Sequence, residues 1–357
     1  MKLFIPGPTQ VHPDILQQMA RPAIGHRTPE CAALWGAARA GLRKLMHTES
    51  EVLMLTAPAS AMMEAAVRNL VSGSSLHVVN GAFSKRWRDI ALANGKDAHS
   101  LDIAWGEGVN ASSLRAALEE RDYDIVTIVH NETSTGTMTP LAPLKEVMQD
   151  FPRTLLCVDS VSSMAGAPVL VDAWGIDVCL FGLQKCLALP AGMAVASVSP
   201  RAMARAAEVP DRGWFLDYLK LAKGNEKEQS PTTPSTAHLY ALVAQLQRME
   251  EEGIEARWQR HADMAEATRT WAENHGWVPF PAEGHRSDTV SCIARGDGPE
   301  FVGALAALKE QGILVSNGYG DLKNKTFRIG HMGEHNMNDL TDLFQRFDAA
   351  LIAEVQA

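Results

Sequence analysis

Short apolar runs alternate with longer amphipathic stretches along the first two thirds of the chain. The apolar runs cover residues 52–55, 76–79, 125–129, 155–159, 177–183 and 194–198. Because each run is short and apolar almost throughout, it predicts a strand that is buried on both faces of a parallel sheet. The stretches between the runs predict helices at residues 29–46, 61–70, 84–93 and 140–151. This alternation predicts an α/β fold.

The two ends of the chain follow other patterns. Four prolines within residues 1–28 predict an extended arm with turns. Residues 211–235 are polar and rich in turn formers, which predicts a mobile, irregular excursion that ends at a domain boundary. Beyond it, helices are predicted at 235–251, 253–274, 299–311 and 338–355, and strands at 289–294, 313–316 and 326–329. We therefore expect an N-terminal arm (1–20), a large domain (21–235) and a small C-terminal α+β domain (236–357).

Composition narrows the class of protein. The 357 residues suffice for two domains, and 46% hydrophobic with 21% charged residues is typical of a globular enzyme. A net charge of −9 and the lack of a long basic run argue against a nucleic-acid partner. No apolar run approaches the about 18 residues of a membrane span, and the N-terminus lacks the apolar region of a signal peptide. The five cysteines are expected to be reduced core thiols of a cytoplasmic protein, without a metal site.

Two apolar runs end in groups that can do chemistry. One ends at Asp159, and the run that begins at Asp177 ends at Gln184 and Lys185. Parallel strands bring their carboxyl ends to one edge of the sheet, where ligands bind in α/β folds. An enzyme using pyridoxal 5′-phosphate (PLP) needs a lysine for the Schiff base and an acid that keeps the ring nitrogen protonated. The alternative, a helix-capping aspartate and a solvated lysine, is weakened by the apolar surroundings of Lys185.

Other segments carry candidate anion sites. Residues 56–60 form a small-residue loop between a predicted strand and helix, where backbone N–H groups and the Ser60 hydroxyl can hold a phosphate. His26 and Arg27 can hold a carboxylate or phosphate, or form a charged loop without such a role. Arg328 lies inside an apolar strand, which favours a substrate carboxylate over an ion pair with one of this protein's own acids. Phe83 either stacks on a cofactor ring or packs in the core.

Taken together, the motifs resemble one enzyme family along nearly the whole chain. In chain order they are Pro6-Gly7-Pro8-Thr9, Gly25-His26-Arg27-Thr28-Pro29-Glu30, Met63-Glu64-Ala65-Ala66, Asn80-Gly81-Ala82-Phe83, Glu132-Thr133-Ser134-Thr135-Gly136, Asp159-Ser160-Val161-Ser162-Ser163, Gln184-Lys185, Leu239-Tyr240-Ala241-Leu242 and Arg328-Ile329-Gly330-His331-Met332-Gly333. With this set the chain is similar to class V aminotransferases, in the branch of alanine–glyoxylate and serine–pyruvate aminotransferases. The resemblance implies PLP fold type I, with a mostly parallel seven-stranded sheet that has helices on both faces. It also implies PLP as cofactor and a homodimer with shared active sites.

The resemblance assigns roles to individual residues. It implies that Lys185 forms the Schiff base, that Asp159 pairs with the pyridine nitrogen and that Arg328 binds the substrate carboxylate. The further cofactor contacts that it implies are Ala59, Ser60, Ala61, Phe83, Ser134, Val161, Gln184 and, across the dimer, Thr233 or Thr232. Gly7, His26 and Arg27 complete the implied substrate site. The loop at 56–61 departs from the family, whose members usually carry a glycine- and serine-rich loop there, so its phosphate contacts are expected to differ.

The implied activity is transamination. Lys185 would hold PLP as an aldimine and then shuttle the proton between the substrate and cofactor carbons. The expected substrates are alanine or serine as donor and glyoxylate or pyruvate as acceptor. A phosphoserine or 2-aminoethylphosphonate-type transaminase is the alternative, because phosphoserine aminotransferases carry a similar His-Arg pair. A desulfurase is disfavoured because residues 211–235 lack a cysteine. A non-catalytic binding protein on the same fold is a remote alternative, because it would usually have lost the aspartate–lysine pair.

Overall fold

The structure, a computed structural model, describes residues 1–356, and the side chains of residues 1–353. The strands are β1 (Lys2–Phe4), β2 (Glu51–Leu55), β3 (Ser74–Val79), β4 (Asp97–Asp102), β5 (Ile125–Val129), β6 (Asn131–Glu132), β7 (Thr137–Met138), β8 (Leu155–Asp159), β9 (Val178–Gly182), β10 (Ala194–Val198), β11 (Val278–Pro279), β12 (Val290–Ala294), β13 (Ile313–Asn317) and β14 (Thr326–Gly330). The helices are α1 (Pro13–Met19), α2 (Pro29–Met46), α3 (Ser60–Leu70), α4 (Ala82–Ala93), α5 (Ala111–Glu119), α6 (Leu144–Asp150), α7 (Pro200–Glu208), α8 (Tyr218–Asn225), α9 (Thr236–Glu252), α10 (Ile254–Asn274), α11 (Val302–Glu310) and α12 (Met337–Gln356).

Seven strands form the large sheet, in the order β2-β10-β9-β8-β5-β3-β4. Strand β10 runs antiparallel to both of its neighbours, and the other pairings are parallel. The prediction of a mostly parallel seven-stranded sheet is therefore confirmed. The central strands β5, β8, β9 and β10 are buried along their whole length, because helices cover both faces of the sheet.

Alternate residues of one strand face different helix layers. In β8, Leu156 and Val158 pack in a cluster with α2, α5 and α9, whereas Leu155 and Cys157 pack with α3, α4, α7 and α8. This alternation follows from the two-residue period of a strand. Because both faces are buried, both sets of side chains are apolar, which explains the continuous apolar runs in the sequence.

The ends of β8 and β9 position the predicted catalytic pair. Asp159 is the last residue of β8, and Lys185 lies three residues beyond Gly182, the last residue of β9. The two strands are parallel neighbours, with Asp159 opposite Leu180. Both charged residues therefore lie at the same edge of the sheet, as the sequence predicted.

The N-terminal segment has more regular structure than the predicted extended arm. Residues 13–19 form α1, whose first residue is Pro13, and the His12 side chain accepts the Asp14 N–H at 3.2 Å. Strand β1 pairs in parallel with β13, within a second sheet of order β1-β13-β14-β12-β11. The prediction of an extended arm with turns is wrong for residues 13–19, because a proline at the first helical position loses no hydrogen bond.

The polar segment at 211–235 also contains a helix, so the prediction of an irregular excursion is wrong for this part. Asp217 accepts the Leu219 N–H at 3.0 Å at the start of α8. Tyr218 is completely buried, and with Leu221 it packs against the helix layer of α3 and α4. On this short helix Lys223 is exposed, whereas Asn225 is buried and donates to the Glu51 carboxylate and to the carbonyl oxygen of Val52. Elements α5, α7, β4 and β11 were also not predicted, and α6 is shorter than the predicted helix at 140–151.

A third apolar cluster lies between the five-stranded sheet and helices α10, α11 and α12. Helix α9, which follows the predicted boundary, packs against α1 and α2. The division of the chain near residue 235 stays a prediction.

All five cysteines are buried and unpaired, as expected from the sequence. Among the described residues, none of the helices combines the length and apolar character that crossing a membrane requires.

Candidate active site

A partly enclosed cavity of about 180 Å³ lies at the carboxyl-terminal edge of the large sheet. Strand ends, the loop before α3 and the start of α4 form its wall. The residues of the wall are Pro58, Ala59, Ser60, Met63, Phe83, Arg86, Val129, Asn131, Thr133, Asp159, Val161, Ser162, Gln184 and Lys185. Half of them were predicted from the sequence as site residues, so the separate motifs do converge on one place.

Asp159 forms the buried acidic part of the wall. Its side chain is 3% exposed, and Oδ1 accepts the Val161 N–H at 2.7 Å. Burial raises the pKa of Asp159 to about 7, against the opposing effects of the Val161 hydrogen bond and the Lys185 ammonium. A cationic ligand atom beside this carboxyl group would favour its ionised form.

Lys185 supplies the amine. Its Nζ donates to the carbonyl oxygen of Pro6, and its own carbonyl oxygen accepts hydrogen bonds from the Thr9 hydroxyl at 3.0 Å and the Ala188 N–H at 2.8 Å. Burial lowers the pKa of Lys185 from 10.5 to about 8, and the Arg328 guanidinium acts in the same direction. A larger neutral fraction near physiological pH makes the amine a better nucleophile.

Gly7 leaves the space that Lys185 occupies. Its φ of +95° is rarely adopted by residues with a side chain. A Cβ atom on Gly7 would lie 2.4 Å from Cδ and 2.8 Å from Nζ of Lys185. The predicted substrate residue Gly7 is thus in contact with the lysine side chain, and glycine is required there for both backbone and space.

The start of α3 forms the anion-binding side of the cavity. No side chain caps this helix. Within the part of the chain that the structure describes, the N–H groups of Ala59 and Ser60 have no acceptor. The Ala61 N–H instead donates to the Pro58 carbonyl at 2.9 Å, and Ala61 does not border the cavity. The two free N–H groups and the helix dipole suit a phosphate, whereas the predicted contact of Ala61 lacks support.

Phe83 and Val161 supply apolar surface to the cavity. Phe83 is held in place by Glu132, a completely buried residue whose carboxylate accepts the N–H groups of Phe83 and Ser84 at 3.0 and 2.9 Å. A Cβ on Gly81 would lie 2.3 Å from Cγ of Glu132, so the carboxylate can approach the start of α4 only because residue 81 is glycine. Phe83 therefore borders the cavity and is not simply a core residue.

Thr133, and not the predicted Ser134, borders the cavity. The Ser134 hydroxyl donates to Glu132 at 2.6 Å and accepts the Ala82 N–H at 3.0 Å. Ser134 is completely buried and takes no part in the wall, whereas Thr133 does. The ring contact of Ser134 stays a prediction. These residues follow β6 in a turn, where no periodicity tells which side chain faces the cavity.

Arg328 lies on β14, just behind the cavity wall. Its guanidinium group donates to the carbonyl oxygens of Thr133 at 3.1 Å and of Asn317 at 3.2 and 3.3 Å. Within the described chain it has no acidic partner, so the alternative of an internal ion pair is not observed. Burial lowers its pKa, and a ligand carboxylate would compensate this buried charge.

The predicted pair of His26 and Arg27 does not border the cavity. Arg27 donates to the Gln229 side chain at 3.0 Å and to the carbonyl oxygens of Ser230 and Pro231 at 2.7 and 3.4 Å. Its guanidinium thus holds the loop before α9. Thr233, in the same region, is exposed in the single chain. Within one chain, His26, Arg27 and Thr233 therefore do not line the cavity that contains Asp159 and Lys185.

Sequence reasoning missed the other half of the wall residues, among them Asn131 and Arg86. Asn131 is 2% exposed and donates to the carbonyl oxygen of Ser162 at 3.1 Å, which fixes its amide orientation. Its Oδ1 has no partner among the described residues, which is unusual for a buried polar atom and indicates a ligand donor. Arg86 is an exposed cation beside Phe83. The place of Asn131 just after the apolar run of β5 was a signal for this residue, whereas Arg86 resembles any solvated helix residue.

Gly7→Ala should displace Lys185 and slow covalent uptake of PLP at least roughly tenfold, because the new methyl group takes the space of the lysine side chain. Gly95→Ala is the matched control, since Gly95 also has a positive φ, +70°, but has open space around its Cβ position. Both variants should lose a similar free energy of unfolding, on the order of 1 kcal/mol. Equal uptake rates in both variants would contradict the packing role of Gly7.

The lowered pKa of Lys185 predicts a pH dependence. Only the neutral amine attacks an aldehyde, and its fraction rises with pH through a pKa of about 8. The rate at which cofactor-free protein binds PLP should therefore rise up to about pH 8.5 and then level off. The rate at which free N-acetyl-lysine reacts with PLP should instead continue to rise to about pH 10.4. Stopped-flow absorbance measures both rates, and a protein rate that also rises to pH 10 would contradict the lowered pKa.

Comparison with known proteins identifies the family. The family model described as Aminotransferase class-V matches residues 3–322. An uncharacterized aminotransferase of Methanocaldococcus jannaschii is 40% identical over 93% of this chain and 87% of its own length. L-aspartate–glyoxylate aminotransferase of Paracoccus denitrificans is 30% identical over 93% of this chain and 86% of its own length. The crystal structure of an alanine–glyoxylate aminotransferase from Nostoc sp. matches with a TM-score of 0.92 and 32% identity, over 98% of this chain and 94% of that chain. The prediction from the motifs is confirmed, and this chain belongs to the class V aminotransferase family, with the PLP fold type I.

Proposed function

We propose that this aminotransferase moves an amino group from alanine or serine to glyoxylate or pyruvate, with PLP bound covalently to Lys185. The observation that carries the proposal is the aspartate–lysine pair at the carboxyl ends of two adjacent parallel strands. The Nostoc and Paracoccus relatives both have glyoxylate in their names, which supports glyoxylate as acceptor. Alanine in the name of the Nostoc enzyme supports a small neutral donor.

The residues of the cavity fit PLP. Such a cofactor needs an acid for its ring nitrogen, an amine for its aldehyde, an anion site for its phosphate and apolar surface for its ring. The acid is Asp159 and the amine is Lys185. The anion site consists of the free N–H groups of Ala59 and Ser60, and Phe83 contributes apolar surface for the ring. Val161, Gln184 and the Ser60 hydroxyl are further proposed contacts. When bound, PLP supplies the electron sink for charge that develops at the substrate α-carbon.

Asp159 and Lys185 have complementary tasks in this proposal. A ring nitrogen held as a cation beside Asp159 would lower the pKa of the carboxyl group below about 7, because opposite charges stabilise each other in a buried site. Once the donor amine has displaced it from the cofactor, Lys185 would move the proton of the donor α-carbon to the cofactor carbon. In the second half-reaction it would move a proton from that carbon to the α-carbon of the acceptor. A pKa of about 8 suits this task, because both protonation states are then populated near neutral pH.

Arg328 is the proposed partner of the α-carboxylate. It is buried, carries its charge without an acid of this chain, and donates to Thr133 in the cavity wall. A planar guanidinium can bind a carboxylate through two parallel hydrogen bonds, which would orient the α-carbon towards Lys185. Gly7, in contact with Lys185, completes this side of the proposed substrate site.

The alternative of a phosphorylated donor has less support. This alternative depended on His26 and Arg27 as a pair that binds an anion of the substrate. The Arg27 guanidinium is instead used in hydrogen bonds to Gln229, Ser230 and Pro231 of the protein itself. We also propose a cytoplasmic homodimer in which Thr233 or Thr232 of one subunit contacts the cofactor phosphate of the other. The exposure of Thr233 leaves it accessible to a second chain.

A donor–acceptor panel tests the activity. With PLP and glyoxylate, alanine or serine should give the highest kcat/KM, above phosphoserine and 2-aminoethylphosphonate. Lys185→Ala should abolish turnover, because it removes both the attachment point and the proton carrier. Lys44→Ala is the matched control, since Lys44 is exposed and pairs with Glu250 far from the cavity wall. A highest kcat/KM for phosphoserine would overturn the proposed donor, and full activity of Lys185→Ala would overturn the mechanism.

Asp159→Asn should leave the fold intact but lower kcat by roughly 100-fold or more, because a neutral amide does not hold the ring nitrogen protonated. Circular dichroism checks the fold, and steady-state kinetics on the best donor measures kcat. Asp122→Asn provides the control, because Asp122 is exposed and pairs with the surface residue Arg153. Near-normal kcat in Asp159→Asn would mean that another group holds the nitrogen.

A further inference from the structure

Arg86 is a cation without an acidic partner at the cavity wall. Its two basic neighbours on α4, Lys85 and Arg88, both pair with Asp89, at 2.6 and 3.0 Å. The Arg86 guanidinium instead lies over the Phe83 ring, 4.7 Å from the centroid, and among the described residues it has no ion pair. Its position next to a cavity residue distinguishes it from the solvated cations of the same helix.

Two guanidinium groups flank one aromatic pair beside the cavity. The ring centroids of Phe83 and Tyr319 are 5.8 Å apart, and the Arg328 guanidinium lies 5.5 Å from the centroid of Tyr319. Arg86 and Arg328 both lower the pKa of Lys185, so both act electrostatically on the reactive amine. The substrate site therefore has two cations, although an α-carboxylate needs only one.

The surroundings of Arg86 suit a ligand carboxylate. A guanidinium that stacks on an aromatic ring is oriented for bidentate hydrogen bonds, and stacking reduces the entropy lost on binding. Arg86 also borders an open surface groove whose lining includes Asp89 and Asp321. When the ligand is neutral, the exposed side chain can turn towards this groove, so its charge does not exclude small neutral donors.

We propose that Arg86 binds the negatively charged end of a dicarboxylic amino donor, in the same cavity that takes alanine or serine. The inference rests on the proposed function and extends its substrate class to acidic amino acids. Arg328 holds the α-carboxylate of either class of donor, and Arg86 holds the second carboxylate of the acidic class. This moves the distal anion site from Arg27, where the sequence suggested it, to the cavity wall.

The test compares L-aspartate with L-alanine as donors to glyoxylate. Arg86→Ala should lower kcat/KM for aspartate roughly 10- to 100-fold more than it lowers kcat/KM for alanine, as expected for loss of a charge-assisted hydrogen bond to the second carboxylate. The kcat/KM of Arg86→Lys for aspartate should lie between those of the unaltered enzyme and of Arg86→Ala, because lysine keeps the positive charge but lacks the planar guanidinium group. Arg88 lies on the same helix but is paired with Asp89, so Arg88→Ala should leave kcat/KM unchanged for both donors. The inhibition constant of succinate, an unreactive dicarboxylate, should rise in Arg86→Ala by a similar factor.

The outcomes separate this inference from the proposed function. Equal losses for both donors in Arg86→Ala, or a loss selective for aspartate in Arg27→Ala, would overturn the role of Arg86. Turnover of alanine but not of aspartate by the unaltered enzyme would also overturn it and leave the proposed function intact. No turnover of any donor would instead overturn the proposed function. If Arg86→Ala does not fold, Arg86→Gln and the succinate measurement give the same comparison.

Discussion

Parallel pairing of β8 with β9 is the constraint on which the active site depends. It brings the buried carboxyl group of Asp159 and the half-buried side chain of Lys185 to the same edge of the sheet. Burial disfavours the charged form of each group, so the pKa of Asp159 rises to about 7 and that of Lys185 falls to about 8. A ligand with a basic ring nitrogen and an aldehyde satisfies both groups, which is why their joint burial indicates PLP more strongly than either residue alone.

The position of Lys185 also depends on segments distant in sequence. The N-terminal chain passes over it, so that Pro6 accepts its Nζ–H and Thr9 binds its carbonyl oxygen. That chain packs on β14, where a Cβ on Gly330 would lie 2.2 Å from the carbonyl oxygen of Ile5. On the other side, Arg257 is 1% exposed and donates to the carbonyl oxygen of Cys186 at 2.8 Å. The lysine is thus held where the N-terminal strand, the large sheet and the C-terminal helices meet.

Much of this arrangement could be predicted from the sequence because burial on both faces leaves a strong signal. Continuous apolar runs located the central strands, and their polar ends located Asp159 and Lys185. Arg328 was found for the same reason, as a charge within an apolar strand. Where the chain turns irregularly this signal is lost, so the sequence did not indicate that Thr133, rather than Ser134, borders the cavity. Arg86 could not be predicted, because its contact with Phe83 depends on the side-chain direction at the surface of α4.

The most direct test of the account is to find which lysine carries the cofactor. Borohydride reduction of the protein loaded with PLP fixes the linkage, and mass spectrometry of the digested protein then identifies the modified residue. We predict stoichiometric modification of Lys185, because among the described residues no other lysine borders the cavity. Modification of a different lysine, or no modification of a protein that transaminates, would contradict the central claim that Lys185 and Asp159 hold PLP between them.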